Sequence, residues 1–419
     1  MKIAIVGAGF TGLSAAYVLS RRKHQITIFE KEATVGGLAS GFKHKEWQWT
    51  IEKHYHHWFT NDSFAINLIK ELKLSQKLFF PPSVTSIFYG NKIYPFNSPN
   101  DVITFSPLSV KDRLRTGAML LYLKLLPPSL ALNMENETAS NWLKKHFGEK
   151  AFQILWQPLL IGKFGKFADQ VNMAWFWARI KKRTPKLGYL EGGYHQLLER
   201  MLEEIKAHGG EIKFNTPYTS DLDRSFDKII FTAPSFAFIK TYPSLPDPYK
   251  RRIASIPHLH ALNLLLITEK KLLKKDYWLN INDRKFPFIA LVTHTNLVDK
   301  KYYAGKNLTW VGNYLPPGHP FLKMSKEELF AIYQPFLQKI NSNFNDKLQT
   351  INCELFLGPF AQPVFFTGYA KLKPDFRTPL RKVILANIDM VYPWDRGTNY
   401  AIELGFKAAG EAEGFPSAD

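Results

Sequence analysis

The chain has 419 residues, 45% hydrophobic and 15% aromatic, with 55 basic against 36 acidic side chains and a formal charge of +19. This is the composition of a packed globular protein rather than a disordered one, and its one cysteine, Cys353, excludes a disulfide scaffold or a cysteine metal site and suits a reducing cytoplasm. No apolar run reaches about 18 residues, so no spanning helix is expected, the N-terminus lacks signal-peptide form, and the basic excess favours anionic small molecules or an anionic membrane surface, with no nucleic-acid module beside it.

Lys2 to Val6 is a short apolar run that ends at Gly7, as a buried parallel strand does. Gly-Ala-Gly-Phe-Thr-Gly follows, then LSAAYVLSRR as a helix and QITIFE as a second strand. This βαβ unit predicts a parallel sheet with right-handed crossovers. KEATVGGLASGF comes next, with a glycine doublet at Gly36-Gly37 and Ser40 behind it. In HKEWQWTIEKHYHHWF, a strand would put His54 and His56 on one face and His57 on the other. No carboxylate cluster completes a metal set, so no metal is expected. Tyr55, His56, His57 and Trp58 read better as the lining of a ligand site. A helix is predicted from Asn61-Asp62, with Phe64, Leu68, Ile69 and Leu72 on one face.

From about Phe80 to Lys186 aromatics, prolines and basic residues mix with helical segments such as SNWLKKHFGEKAFQILW. Thr116 to Leu132 reads as a buried or half-buried helix stopped by Pro127-Pro128, with a groove or membrane-surface contact as its alternative. Lys181-Lys182-Arg183 reads as a solvated face. Tyr194, Leu197, Leu198, Met201, Leu202 and Ile205 mark an amphipathic helix stopped by Gly209-Gly210. EIKFN and DKIIFTAP are strands, and ALNLLLIT, FIALVTHT and NLTWVGNYL suggest an antiparallel sheet of a second domain. His294, on the second of these, is a candidate for the opposite wall of the site. VILAN then returns to a buried strand, and MVYPWDRGTNYAIELG adds a turn and a glycine-led helix.

Gly7, Gly9 and Gly12 fit G-x-G-x-x-G between a strand and a helix. They serve the tight turn, the close approach of a pyrophosphate and the helix–strand packing. The helix N-terminus offers N–H groups and positive dipole to the phosphates. Glu30, ending the second strand, stands where an acid accepts a bond from an adenosine ribose hydroxyl. Gly36-Gly37 allows a second close approach, and Ser40 a donor.

Three motifs in order, GAGFTG…E…GGLAS, YLEGGYHQLLERMLEE…GGEIKFNTPY and VILANIDMVYP…GTNYAIELG, resemble the FAD-dependent amine oxidase, protoporphyrinogen oxidase and phytoene desaturase superfamily. The resemblance implies an α/β fold, with a Rossmann-like FAD domain in pieces (1–80, 188–250 and 378–419) and an interleaved α+β substrate domain (81–187 and 251–377) with a mixed or antiparallel sheet. It gives the phosphate and ribose roles to Gly7, Gly9, Gly12, Glu30, Gly36, Gly37 and Ser40, with Phe10, Thr11, Lys31, Leu38 and Ala39 beside them. Tyr218 falls where the backbone meets the adenine. Leu38 replaces an arginine common in amine oxidases, and Asn387-Ile388-Asp389 departs from the usual Ala-Gly-Asp. Either Asn387 or Asp389 takes the ribityl and phosphate contact.

The helix opened by Gly397, Thr398 and Asn399 would aim its N-terminus at the flavin ring, where its N–H groups and dipole stabilise the charge of the reduced form. Tyr392, Trp394, Arg396 and Tyr400 would stand beside that ring, and Tyr55 and His56 complete the catalytic set. The implied function is an FAD oxidoreductase removing hydride from a C–N or C–C bond of a small substrate, apolar, amine-bearing or anionic. Oxygen or a quinone would reoxidise it, in the cytoplasm or at the membrane's inner face. The alternatives are a non-redox flavin mutase, similar to UDP-galactopyranose mutase, and an FAD-binding protein without turnover.

Overall fold

The computed structural model describes residues 1–344 and 352–415, so 345–351 and 416–419 of the expected segments lie outside it. A parallel sheet takes its strands in the order Glu211–Lys213, Gln25–Phe29, Lys2–Val6, Lys228–Phe231, Val383–Leu385. Its register pairs Ile3 with Ile26 on one side and with Lys228 on the other. Ile3, Ala4, Ile5, Ile28, Ile229 and Ile230 are buried, the mark of a sheet covered on both faces. The helix Phe10–Arg21 packs beside His195–Ala207 and Thr398–Glu413. Gly405 makes the last contact close: a Cβ there would stand 2.3 Å from the Thr11 carbonyl oxygen. His195–Ala207 buries Leu197, Leu198, Met201, Leu202 and Ile205, the stripe expected from the sequence.

A second sheet of seven strands runs Asn352–Pro363, His258–Thr268, Asn307–Leu315, Ala290–Thr293, Trp278–Ile281, Thr85–Tyr89, Lys92–Pro95. It is antiparallel except for one parallel pair, Trp278–Ile281 with Thr85–Phe88, so it is mixed. Helices between Pro99 and Lys182 cover it with a core of their own, rich in Trp142, Trp156, Trp175 and Trp177.

Three local expectations change. Asp62 precedes the helix Ser63–Glu71 but does not cap it, because its carboxylate accepts from the Phe59 N–H instead. The helical run through SNWLKKHFGEKAFQILW breaks at Gly148, whose φ of +91° no ordinary helix residue adopts. Residues 53–57 form a bend between the two-residue strands Ile51–Glu52 and Trp58–Phe59, so the alternating faces of a strand do not apply there. The helix Val110–Leu125 stops before the prolines and is half-buried, as expected: Thr116 and Leu123 are buried, while Leu114, Leu121, Tyr122 and Leu125 are exposed.

Candidate functional site

The first loop folds as its glycines require. Gly7 sits at φ +101°, and a Cβ on Gly12 would lie 2.0 Å from the Gly7 carbonyl oxygen. The Gly36–Gly37 loop lies against it: the Gly36 N–H donates to the Ala8 carbonyl (2.8 Å), and Gly36 and Gly37 both hold positive φ. Gly9 keeps its Cβ side open, with no atom nearer than the Gly36 oxygen at 4.0 Å. Two glycine loops therefore make one bare backbone cradle. No side chain caps the Phe10–Arg21 helix, so its first-turn N–H groups face the cradle. Glu30 is buried, and its carboxylate accepts from the Ala8 N–H (2.7 Å) and the Glu32 N–H (2.9 Å), which ties the acid to the loop. Tyr218 packs edge-on against Phe29 and donates to Asp223 (2.8 Å). Phe10 and Ala39 are buried beside the loops, while Lys31 is exposed. Leu38 lies next to His54 at the second sheet's Gly358.

The last helix has the same bare start. Gly397 gives it no side-chain cap, while its next two side chains anchor it elsewhere. Thr398 Oγ1 accepts from Trp58 Nε1 (2.8 Å), and Asn399 Oδ1 accepts from the Ala65 N–H (3.1 Å). Trp58 stacks on Tyr194 at 3.8 Å. The helix mouth is thus fixed to the 54–65 segment, with its backbone N–H groups left for a ligand.

Asn387 and Asp389 enter a network of their own. Asn387 donates to Ser235 Oγ (3.0 Å) and accepts from the Asp389 N–H (3.1 Å). The fully buried Asp389 carboxylate lies 2.6 Å from His258 Nε2 and accepts from Ser235 Oγ at 2.5 Å. These bonds stiffen the strand end. Asp389 keeps its carboxylate inside them and away from solvent.

The histidines are neutral. Burial pushes His54 down to about 3, His56 to about 4 and His57 to about 3. His54 pairs with Asn263 (2.6 Å), His56 with the His54 carbonyl (2.6 Å) and His57 with Tyr277 (3.3 Å). Among the described residues no three His, Cys, Asp or Glu side chains gather as a metal set. His294 is a core histidine: it lies in a turn, buried, on the Tyr303 hydroxyl at 2.8 Å, rather than on a wall of the site.

The six residues expected to be catalytic divide between two places. Tyr392, Trp394 and Tyr400 line an outer cavity of about 630 Å³ with residues 373–377 and the outer face of the last helix. There Trp394 stacks parallel to Tyr400 at 5.7 Å, and Lys182 sits over both rings. Neither glycine loop reaches this cavity. The irregular turn at 393–396 separates its side chains, so Arg396 points the other way, toward Tyr55 and His56.

Arg396 belongs to a group of charges that the sequence does not place together. Asp395 Oδ2 lies 2.9 Å from Lys163 Nζ and 2.8 Å from Arg179 Nη1. Arg396 sits over the Tyr314 ring at 4.8 Å and donates to Gln362 Oε1 (3.0 Å). Arg183, read above as solvated, is half-buried and turned toward Arg179 and Asp395. A cavity of about 60 Å³ opens here, lined by Tyr55, Lys163, Arg179, Trp278, Asn280 and Tyr314. Burial pushes Lys163 down to about 7, against the attraction of Asp395. Arg396 is pushed down to about 10 by burial. Lys163, Arg179 and Arg183 come from a helix, a second helix and its end, and nothing in their spacing signals the cluster.

A family model described as flavin containing amine oxidoreductase matches residues 10–412. The chain is 22% identical over 299 residues to coproporphyrinogen III oxidase of Staphylococcus aureus (strain NCTC 8325 / PS 47), covering 58% of this chain and 63% of that enzyme. The chain thus spans less than two thirds of that curated relative's length. An oxidoreductase from Methanosarcina mazei superposes with a TM-score of 0.74 at 17% identity, over 98% of this chain and 100% of that one. Reduced UDP-galactopyranose mutase superposes with a TM-score of 0.76 at 16% identity, over 100% of this chain and 94% of the other.

Proposed function

The chain belongs to the flavin-containing amine oxidoreductase family, whose cofactor is FAD, and from that premise we propose that it oxidises a small substrate by removing hydride from a C–N or C–C bond. The double glycine cradle carries the reading. In it, residues 1–80, 188–250 and 378–419 hold the cofactor, and 81–187 with 251–377 hold the substrate.

The residues fit FAD. The pyrophosphate takes the cradle of Gly7, Gly9, Gly12, Gly36 and Gly37, with Phe10, Thr11 and Ser40 at its rim. Glu30 receives the adenosine ribose, and the chain near Tyr218 the adenine. Asn387 stands at the ribityl end, with Asp389 holding it in place through Ser235. When bound, FAD supplies the two-electron acceptor. The protein positions and electrostatically prepares the site. The N–H groups at Thr398 and Asn399 place positive dipole where negative charge accumulates on reduction. Neutral His54, His56 and His57 add no charge beside it. Trp58, Tyr194 and Trp278 exclude water from the reacting bond.

The returning oxidant is oxygen or a quinone, in a cytoplasmic enzyme. Visible spectroscopy tests this directly. Yellow protein that is bleached by substrate and recoloured by air or by a quinone is expected. Colourless protein that takes up no FAD would sink the reading.

A second reading has one observation in its favour. A non-redox flavin mutase needs cations and tyrosines for a sugar diphosphate, and Arg179, Arg183, Arg396, Tyr55 and Tyr314 stand together. Yellow protein indifferent to every acceptor but active on a nucleotide sugar would support it.

No helix among the described residues is long and apolar enough to cross a membrane. The exposed Leu114, Leu121, Tyr122, Leu125, Leu130 and Leu132, with Lys111 and Lys124 exposed beside them, suit shallow attachment to an anionic bilayer. Sedimentation with phosphatidylglycerol vesicles, lost in Leu121→Asp, is the expected result. Equal sedimentation of both proteins would refute it.

A further inference from the structure

Glu52 is a buried acid outside both the glycine cradle and the Asp395 cluster. It ends the short strand Ile51–Glu52, which pairs with Gly41–Phe42 just behind the second glycine loop. Its carboxylate accepts from the Tyr194 N–H (2.7 Å) and from the Tyr189 hydroxyl (2.8 Å). Gly193 keeps that approach open: its φ is +87°, and a Cβ there would stand 3.2 Å from the carboxylate and 2.6 Å from Thr50 Oγ1. The contacts continue past Tyr194. Its ring stacks on Trp58 at 3.8 Å, and Trp58 Nε1 donates to Oγ1 of Thr398 (2.8 Å), the first residue of the last helix.

The titratable groups around that carboxylate are neutral. Burial pushes Glu52 up to about 7, and no cation among the described residues acts on it. The groups that respond to its charge are phenols, Tyr189, Tyr194, Tyr277 and Tyr303, all held above their ordinary values by burial. His294, edge-on to Tyr189 at 4.9 Å, is kept neutral by burial, which pushes it down to about 3. A buried carboxyl with no counter-charge costs stability, and packing alone would be served better by an apolar side chain. What a carboxylate adds is hydrogen bonds about twice as strong as neutral ones, fixed in direction.

We propose that Glu52 is a positioning residue of the flavin end of the site. By gripping the Tyr194 N–H it fixes the ring on which Trp58 stacks, and through Trp58 it holds the Thr398 end of the last helix. Tyr189, on the other oxygen, keeps the carboxylate from turning. The step from that helix mouth to the flavin rests on the flavin reading, whereas the run from Glu52 to Thr398 stands without it.

The test uses the full chain as wild type, Glu52→Asp, Glu52→Gln, Trp58→Phe and the double variant of Glu52→Asp with Trp58→Phe. Leu202→Ala, buried in the helix that follows Tyr194, is the control for lost stability alone. Near-ultraviolet circular dichroism reads the Trp58–Tyr194 stack with or without flavin, and the flavin midpoint potential reads the helix mouth. Glu52→Asp keeps the charge but withdraws the carboxylate by one methylene. It is expected to weaken the stack signal that Trp58→Phe removes. In both variants the reduced flavin should lose about tenfold in relative stabilisation, about 30 mV for two electrons. The double variant should fall no further than the lower of the two. Glu52→Gln keeps the reach without the charge and should fall less than about threefold. Leu202→Ala should melt earlier and keep both readings. A stack signal unchanged in Glu52→Asp overturns the linkage, as do additive falls in the double variant. A potential that holds in Glu52→Asp but falls in Glu52→Gln also overturns it, since charge rather than position then matters. A potential that holds in every Glu52 variant leaves Glu52 a structural acid and overturns the proposal. Protein that takes up no FAD sinks the flavin reading and the last step with it, while the dichroism still decides the run from Glu52 to Trp58.

Discussion

The glycine cradle of the parallel sheet and the Asp395 cluster beside the second sheet are built on opposite principles. The cradle is made of backbone, and its one acid, Glu30, accepts from two N–H groups of its own turns. It is geometrically tight, with the first-turn N–H groups of Phe10–Arg21 left uncapped. The cluster is made of long side chains from separate segments, with Asp395 paired to Lys163 and Arg179 and Arg183 turned toward it. It borders only a small cavity of about 60 Å³ and is held by charge. A backbone surface fixes a site by shape, while long side chains fix one by the ion pairs that packing brings together.

That contrast can be broken by mutation. Asp395→Asn is expected to have the largest effect, about 3–5 kcal/mol of stability, because it strands Lys163 and Arg179 with no acid; thermal melting reads it, and a drop below ~1 kcal/mol would mean the cluster is not electrically strained. Glu30→Gln replaces an acceptor of two N–H bonds with a half-donor and should remove about 1.5–3 kcal/mol. FAD release should rise, and its loss of stability should add to that of Asp395→Asn; a clearly non-additive double variant would show that the two regions are not independent. Gly12→Ala drives a Cβ to 2.0 Å from the Gly7 oxygen, an overpacking of about 1–3 kcal/mol, seen as lost flavin after purification.

The smallest effect is a slope. Folded Lys163 releases its proton near 7, against 10.5 for an ordinary lysine, so between those values the unfolded chain binds more protons and stability rises with pH. Lys163→Met should flatten the melting temperature between pH 7 and 9. An unchanged slope would place the titration elsewhere.

The two regions also differ in how far the sequence reveals them. Gly7, Gly9, Gly12 and Glu30 lie within one βαβ unit, where spacing and structure are nearly the same information, and Gly36-Gly37 follows a few residues on. The stripe from Leu197 to Ile205 was legible for the same reason. The cluster was not, because Lys163, Arg179 and Asp395 meet only through tertiary packing and each looks like a surface charge alone. Arg183 was misread on those grounds. The half-buried character of Val110–Leu125 was legible, but not what meets its exposed side, since an apolar helix face reads the same whether protein or something else covers it. The turn at 393–396 shows a third limit: neighbouring side chains sent to opposite sides cannot be separated by proximity in sequence.

The packing of Gly405 against Thr11 has a consequence for how the protein comes into being. The first helix is made early in synthesis, but the surface that steadies it, and the helix mouth opened by Gly397, come from residues 397–413. Until those leave the ribosome, the strand Lys228–Phe231 has an open edge awaiting Val383–Leu385. Such long-range closure folds slowly and exposes unpaired strand in the meantime. Cofactor capture is therefore a late event, and free FAD in the cell acts on this chain as a folding ligand, drawing the two ends together by mass action.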